Sequence, residues 1–227
     1  MIGVVIPTLN EASYLPGLFA DLERLRKTVP LNVVVSDGGS RDETLGVAAR
    51  HAARTIVGPA GRARQLNAGA AAAGGEWLLF LHADARMPPA ARRALLAVVV
   101  DAPVPEAAVF RFAIDLPAPW KGFIELGQAL RERLYHLPYG DQGLLIGREL
   151  FQAVGGYADI PIMEDVDMIR RVKKRRVDIR RLPAALVTSG RRYRARGALR
   201  TWLRNVMLIG LYLMGVPPRR LARWRAA

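Results

Sequence analysis

The chain has 227 residues, 51% of them apolar, no cysteine, and a formal net charge of +14. That length and apolar share are enough for one large domain, or a domain with an appendage, and exclude a disordered chain. The lack of cysteine excludes disulfide frameworks and thiolate metal sites.

The amino terminus, Met1-Ile2-Gly3-Val4-Val5-Ile6, has no basic leader and reads as the start of a strand rather than a signal peptide. Ile2 to Ile6 predicts a buried strand ending at Pro7, followed by the polar loop Thr8-Leu9-Asn10-Glu11. An amphipathic helix follows from about Ala12 to Lys27, with Leu15, Leu18, Phe19, Leu22 and Leu25 at helical spacing. Neither the dinucleotide fingerprint nor a P-loop follows the first strand. Asn10 and Glu11 stand where polar groups can bind a ligand, and Asn10 is equally suited to capping the helix.

Leu31 to Val35 predicts the second strand, and Ser36-Asp37-Gly38-Gly39-Ser40-Arg41-Asp42-Glu43-Thr44 follows it. The glycines permit a tight turn and a close approach to a ligand, and Ser40 and Asp42 are suited to capping the next helix. Asp37 has no evident capping duty, and its carboxylate can accept hydrogen bonds from a ribose or a base. Arg54 to Val57 predicts a third strand leading to Gly58-Pro59-Ala60-Gly61-Arg62, and a small-residue helix runs through Ala68 to Ala73. Arg62 near a helix amino terminus favours an anion, with Asn67 roughly one and a half turns further on.

The stretch from Glu76 is continuously apolar over Trp77 to Leu81 and ends in His82-Ala83-Asp84. It predicts a strand buried on both faces. Open α/β sheets bind ligands at the carboxyl ends of such strands. An imidazole and a carboxylate two residues apart point to one side of an extended chain and suit a divalent cation. The alternative is a pair that merely closes the strand before the turn at Met87-Pro88-Pro89.

Strand-Pro7-Thr8-x-Asn10-Glu11, Asp37-Gly38-x-Ser40-x-Asp42-x-Thr44, Arg62-Ala63-Arg64-x-x-Asn67-x-Gly69 and strand-His82-x-Asp84 stand in this order on successive strand ends. Together they resemble a family 2 glycosyltransferase of the GT-A fold over roughly residues 2–192. The resemblance implies a Rossmann-like α/β fold with a mixed, mostly parallel sheet between helices. It also implies that Pro7, Asn10, Glu11, Asp37, Gly38, Arg62 and Asn67 hold a nucleotide-sugar donor. Asp84 would bind a divalent cation, Mg²⁺ or Mn²⁺, bridging the diphosphate. His82 stands where many members carry the first aspartate of the pair.

Ala107 to Ile114 predicts a strand, Trp120 to Tyr135 an amphipathic helix, and Leu144 to Ile146 another strand after Tyr139-Gly140-Asp141-Gln142-Gly143. In Pro161-Ile162-Met163-Glu164-Asp165-Val166-Asp167, three carboxylates open a helix and complement its dipole. The resemblance assigns Glu164 and Asp165 to the family's acidic pair, with Asp165 as the base that takes the acceptor hydroxyl proton. Asp141 is the second candidate, and Asp141-Gln142 can instead contact the acceptor. Asp178 to Leu182 predicts a strand, and Arg191 and Arg192 resemble the basic segment that folds over the diphosphate, or else form a solvated face. The blocks Gly140-Asp141-Gln142, Gly155-Gly156-Tyr157, Ile162 to Asp165 and Thr188-Ser189-x-Arg191-Arg192 resemble most the arsenosugar-biosynthesis-type subgroup.

From Arg170 to the end there are 18 Lys and Arg against one acid, whereas residues 1–169 hold 16 basic and 19 acidic side chains. A division at 1–192 and 193–227 follows, with the second part a basic, apolar helical tail. Its apolar run, Trp202 to Val216, falls short of the ~18 residues needed for a span. With flanking arginines it suits an anionic membrane surface, and docking on the body or on a second copy to form a homodimer are the alternatives. The expected partners are a nucleotide-sugar donor and a hydroxyl-bearing small-molecule or lipid acceptor. The expected location is cytoplasmic, with a peripheral position at the inner face of the cell membrane if the tail binds lipid. A nucleotidyltransferase would carry a Gly-rich phosphate loop after the first strand, which is absent. A nucleic-acid module driven by the tail would interleave aromatics for base stacking, which the body's arginines lack, so no nucleic-acid partner is expected.

Overall fold

Ile2–Thr8 (β1) is buried almost throughout and lies inside an eight-stranded sheet. The computed structural model describes residues 1–51, 54–101, 107–135 and 140–226. Tyr139 of the predicted Tyr139–Gly143 loop lies outside the described residues. The helix Leu15–Arg26 (α1) follows β1, and Leu31–Asp37 (β2) pairs with β1 in parallel. Thr44–Arg50 (α2) then leads to Arg54–Val57 (β3), Arg62–Ala72 (α3) and Trp77–Phe80 (β4). β3, β2, β1 and β4 are neighbours in that order and all parallel, so their carboxyl ends share one edge.

Beyond β4 come Ala85–Arg86 (β5), Pro89–Asp101 (α4), Ala107–Asp115 (β6), Trp120–Tyr135 (α5) and a 3₁₀ turn, Gly140–Gln142. Leu144–Gly147 (β7), Arg148–Ala153 (α6), Glu164–Lys174 (α7) and Ile179–Ser189 (β8) complete the body. β7 runs antiparallel between β4 and β6, and β8 pairs with β6 in parallel and with β5 antiparallel. β8 is much longer than Asp178 to Leu182. Its Pro183 falls at a bulge between the pairs Val109–Arg181 and Arg111–Ala185, where a strand tolerates a missing N–H.

Alternation along β1 sends Val4 and Ile6 to one face and Val5 to the other. The first face packs on Leu15, Leu18, Phe19, Leu22 and Leu25 of α1 and on Leu95 and Val98 of α4. Each such fully buried side chain contributes about 1.5–3 kcal/mol. The second face packs on α3, α6 and α7. α3 approaches so closely that a Cβ on Gly69 would lie 2.3 Å from Val5, which explains the small residues of this helix.

Arg191–Arg196 (α8), Ala198–Leu213 (α9) and Pro218–Ala226 (α10) follow β8. Residue 192, where a basic tail was expected to begin its separation from the body, falls inside α8. Trp202 and Tyr193 pack on Ile114, Leu116 and Ile124, and Leu208 and Leu221 on Ile162. Among the described residues no helix is long and apolar enough to cross a membrane.

Candidate active site

The loops after β1 and β2 are sewn together by side chains. Asn10 N donates to Ser40 Oγ (2.8 Å), Glu11 N to Thr44 Oγ1 (2.8 Å) and Ala12 N to Asp42 Oδ2 (3.1 Å). In return Asn10, in the left-handed region at φ 57°, accepts Arg41 N at 2.8 Å. Ser40 therefore joins two loops instead of capping α2. Asp37, for which the sequence offered no structural duty, is fully buried and accepts four hydrogen bonds. They come from Thr8 Oγ1 (2.8 Å), Gly39 N (2.8 Å), Ser40 N (2.7 Å) and Ser40 Oγ (2.5 Å). Burial alone would push its carboxyl up, but the bonds from Ser40, Thr8 and Gly39 outweigh burial and hold it below the usual carboxylate value. Asn67 likewise spends its amide internally, giving and receiving 2.8 Å bonds with the backbone of Tyr157.

Beside these loops opens a cavity of about 810 Å³ lined by Arg62, His82, Asp84, Asp141, Glu164, Asp165, Arg191 and Arg192. Thus eight of the residues singled out from sequence share one space, whereas Pro7, Asn10, Glu11, Asp37, Gly38 and Asn67 are not on its walls. The first five of these sit next door at the ends of β1 and β2.

Arg62, at the amino end of α3, organises the floor. Its Nε lies 3.1 Å from Glu164 Oε1 and a terminal nitrogen touches His82 Nε2. Glu164, Asp165 and Asp141 together keep the guanidinium protonated more firmly than usual, against the opposing and larger single effect of burial. On its other side His82 Nδ1 lies 4.0 Å from Asp84 Oδ1, so the imidazole stands between Arg62 and the carboxylate. His82, expected as a second metal ligand, contacts Arg62 through Nε2 in this arrangement.

Asp84 faces Arg191, whose Nε is 3.3 Å from Oδ2, while a terminal nitrogen of Arg191 lies 2.5 Å from Glu11 Oε1. The guanidinium also stacks 4.4 Å above the Tyr14 ring. Its neighbour Arg192 is made less basic, first by the loss of water inside the cavity and then by Arg62 and Arg191, with Asp84 opposing. Arg191 and Arg192 thus face Asp84 while Arg62 faces Glu164 across the same cavity, a set of guanidiniums suited to a polyanion.

Met163, in the left-handed region at φ 67°, turns the chain into α7. Of the acids in its first turn, Glu164 is buried against Arg62 and Asp167 pairs with Arg171 at 2.7 Å. Asp165 lines the cavity and accepts Val166 N at 2.8 Å. Asp141 lines it from the 3₁₀ turn, but Gln142 is buried and donates to Glu132 at 3.1 Å, which removes it from the acceptor side.

Helix α9, for which docking on the body was one of the alternatives, closes this space. Thr201, Arg204, Asn205 and Leu208 all line it, and their spacing of three and four residues is the signal that marks one helix face. Among the described residues Thr201 Oγ1 and Arg204 Nε are buried there without a hydrogen-bond partner, as is Trp202 Nε1 on the side of Gly127. Buried polar groups are rarely left so, and Thr201 and Arg204 line a space a ligand can fill.

Among the described residues no group of three or more His, Cys, Asp or Glu can hold a metal unaided. Asp84 supplies one hard oxygen. That fits a Mg²⁺ or Mn²⁺ whose remaining ligands are substrate phosphates and water, the usual way such ions are held.

Residues 3–121 match the family described as glycosyl transferase family 2. A PGL/p-HBAD biosynthesis glycosyltransferase from Mycobacterium tuberculosis is 32% identical over 167 residues, covering 69% of this chain and 63% of the relative. The chain therefore spans less than two thirds of the length of the curated relatives it matches. The mannosyltransferase PcManGT from Pyrobaculum calidifontis, solved with GDP-Man and Mn²⁺, superposes with a TM-score of 0.66 at 20% identity, covering 96% of this chain and 66% of that one. Glucosyl-3-phosphoglycerate synthase from Mycobacterium tuberculosis, solved with Mn²⁺ and UDP-glucose, gives 0.64 at 21%, covering 96% and 80%. These structures share the GT-A fold.

Proposed function

The chain belongs to glycosyl transferase family 2, and from that membership we propose that it transfers a sugar from a nucleotide-sugar donor to an acceptor hydroxyl. The observation that carries this reading is the meeting of Asp84, Asp165, Arg62, Arg191 and Arg192 on one cavity at the carboxyl ends of the parallel strands. A diphosphate bearing two to three negative charges needs counter-charges that do not have to reorganise, and the three guanidiniums supply them. A divalent cation held by Asp84 and the diphosphate would neutralise the leaving group from the opposite side.

The acceptor enters between α7 and α9. Asp165 takes the proton of its hydroxyl as the oxygen bonds to the anomeric carbon. The bond from that carbon to the diphosphate breaks in the same step, and the nucleoside diphosphate departs on Arg191 and Arg192. One displacement by one base gives inversion at the anomeric carbon. Thr201 and Arg204, with polar atoms awaiting partners, are the acceptor's contacts on α9. The arsenosugar-type resemblance belongs to the same proposal, since Asp141, Glu164, Asp165, Arg191 and Arg192 from its blocks lie on these walls.

Thermal-shift titration with nucleoside diphosphates, with and without Mn²⁺, tests the donor half through ligand linkage. One nucleotide is expected to stabilise the protein, and the matching nucleotide-sugar to release nucleoside diphosphate only from a chain with Asp165 intact. No stabilisation by any member, or equal turnover by Asp165→Asn, refutes the proposal.

A further inference from the structure

We infer that the outer faces of α5 and α9 form one surface that docks on an anionic bilayer. The two helices touch where the rings of Phe123 and Trp202 lie 5.0 Å apart and where Gly127 leaves room for Trp202. On the outward side of that contact, Trp120, Phe123, Leu126 (71% exposed) and Leu130 of α5 stand open to solvent. So do Leu199, Leu203 (52% exposed) and Met207 of α9. On each helix these residues recur at three and four positions, forming a stripe beside the contact, so the two stripes adjoin. Scattered exposed apolar residues are ordinary, but seven large ones on two touching helices are not; contiguous apolar patches beyond a few hundred Å² mark interaction surfaces.

Charge selects the partner. Residues 191–227 contain ten arginines and no acid. On α5 both acids are turned inward: Glu125 accepts Ile114 N at 3.0 Å and Glu132 is buried against Arg181 at 2.8 Å. Lys121 and Arg133 of α5, Arg200 of α9, and Arg196, Arg219, Arg220 and Arg223 of the adjoining helices are exposed. Apolar side chains ringed by arginine, with no outward carboxylate on these helices, match an interface of acyl chains and anionic headgroups. A second copy of the same chain would set arginine against arginine.

The surface is independent of the chemistry proposed above, but it gives α9 two roles. Its inner face lines the cavity through Thr201, Arg204 and Asn205, and its outer face meets the bilayer through Leu199, Leu203 and Met207. An acceptor carried on a lipid would then reach Asp165 around the edge of a single helix.

Vesicle co-sedimentation tests this with the full chain, using phosphatidylcholine alone and phosphatidylcholine mixed with phosphatidylglycerol. The wild type is expected to sediment only with the anionic vesicles and to be released by salt. Leu126→Asp and Leu203→Asp are each expected to lower partitioning about tenfold or more. Stabilisation of either variant by the nucleoside diphosphate is expected to match wild type, which shows that the fold and donor site are intact. A wild type left in the supernatant with anionic vesicles at low salt overturns the inference. Undiminished binding by Leu126→Asp overturns the two-helix surface. A concentration-dependent dimer abolished by Leu126→Asp, without vesicle binding, assigns the surface to a second copy.

Discussion

Arg191 holds Asp84 through its Nε at 3.3 Å while the same guanidinium holds Glu11 at 2.5 Å. One residue from the last fifth of the chain thereby ties together the loops after β1 and β4. A diphosphate entering the cavity competes with Asp84 for this guanidinium, and a cation competes with the guanidinium for Asp84. Arg191→Met is therefore expected to weaken nucleoside diphosphate binding by about 10- to 100-fold, the scale of a lost charge-assisted hydrogen bond. Isothermal titration in the presence of Mn²⁺ measures it.

Asp84→Asn is expected to remove most of the gain in nucleotide affinity that Mn²⁺ brings, leaving metal-free binding close to wild type. An amide oxygen is a poorer ligand for a hard cation than a carboxylate. Titration with and without chelator gives both numbers. His82→Asn is expected to leave the Mn²⁺ gain unchanged, because His82 serves Arg62.

Asp165→Asn and Glu164→Gln are expected to separate chemistry from architecture. Losing the base at Asp165 lowers kcat roughly 10²-fold or more while donor binding persists. Glu164 is buried and paired with Arg62, so Glu164→Gln is expected to lower stability by about 1–3 kcal/mol as well as activity. Thermal unfolding beside steady-state kinetics distinguishes the two.

Asp37 links stability to pH. Its carboxyl is held below the unfolded value of 3.8, so the charged form is stabilised by folding. That contribution is complete above the unfolded value and is lost as pH falls through the lower folded value. Asp37→Asn is expected to destabilise at neutral pH and to flatten the loss of stability below about pH 4. Denaturant melts at neutral and acid pH read both effects.

Strand positions were legible because an apolar run such as Trp77–Phe80 has little choice but to be buried. The destination of a strand-end polar group was not. Asp37 looks like a ligand contact in sequence and Ser40 and Asp42 like helix caps, yet their partners include Thr8, Asn10 and Ala12, about thirty residues away on a neighbouring loop. Nothing local distinguishes a carboxylate that meets a ribose from one that meets a backbone N–H. The helix Pro89–Asp101 was hidden by its opening prolines, which read as a turn although proline is well placed in a first helical turn. Helix α9 was legible as apolar and basic, but which of its faces looks inward depends on the position of α5 and the cavity.

That position makes the final prediction. A Cβ at Gly127 would come within 2.7 Å of Trp202 Nε1, so α9 sits against α5 only because this residue has no side chain. Gly127→Val is expected to push Trp202 and α9 outward, widening the cavity and loosening its acceptor wall. Arg204→Met leaves the helix in place and removes one unpartnered donor from that wall. If α9 supplies acceptor contacts, Arg204→Met raises the acceptor KM about tenfold with donor affinity unchanged, since one charge-assisted hydrogen bond is lost. Gly127→Val raises the same KM and also lowers the melting temperature. Should Arg204→Met turn over every acceptor as wild type does, α9 is a structural cover alone and the acceptor lies elsewhere in the cavity.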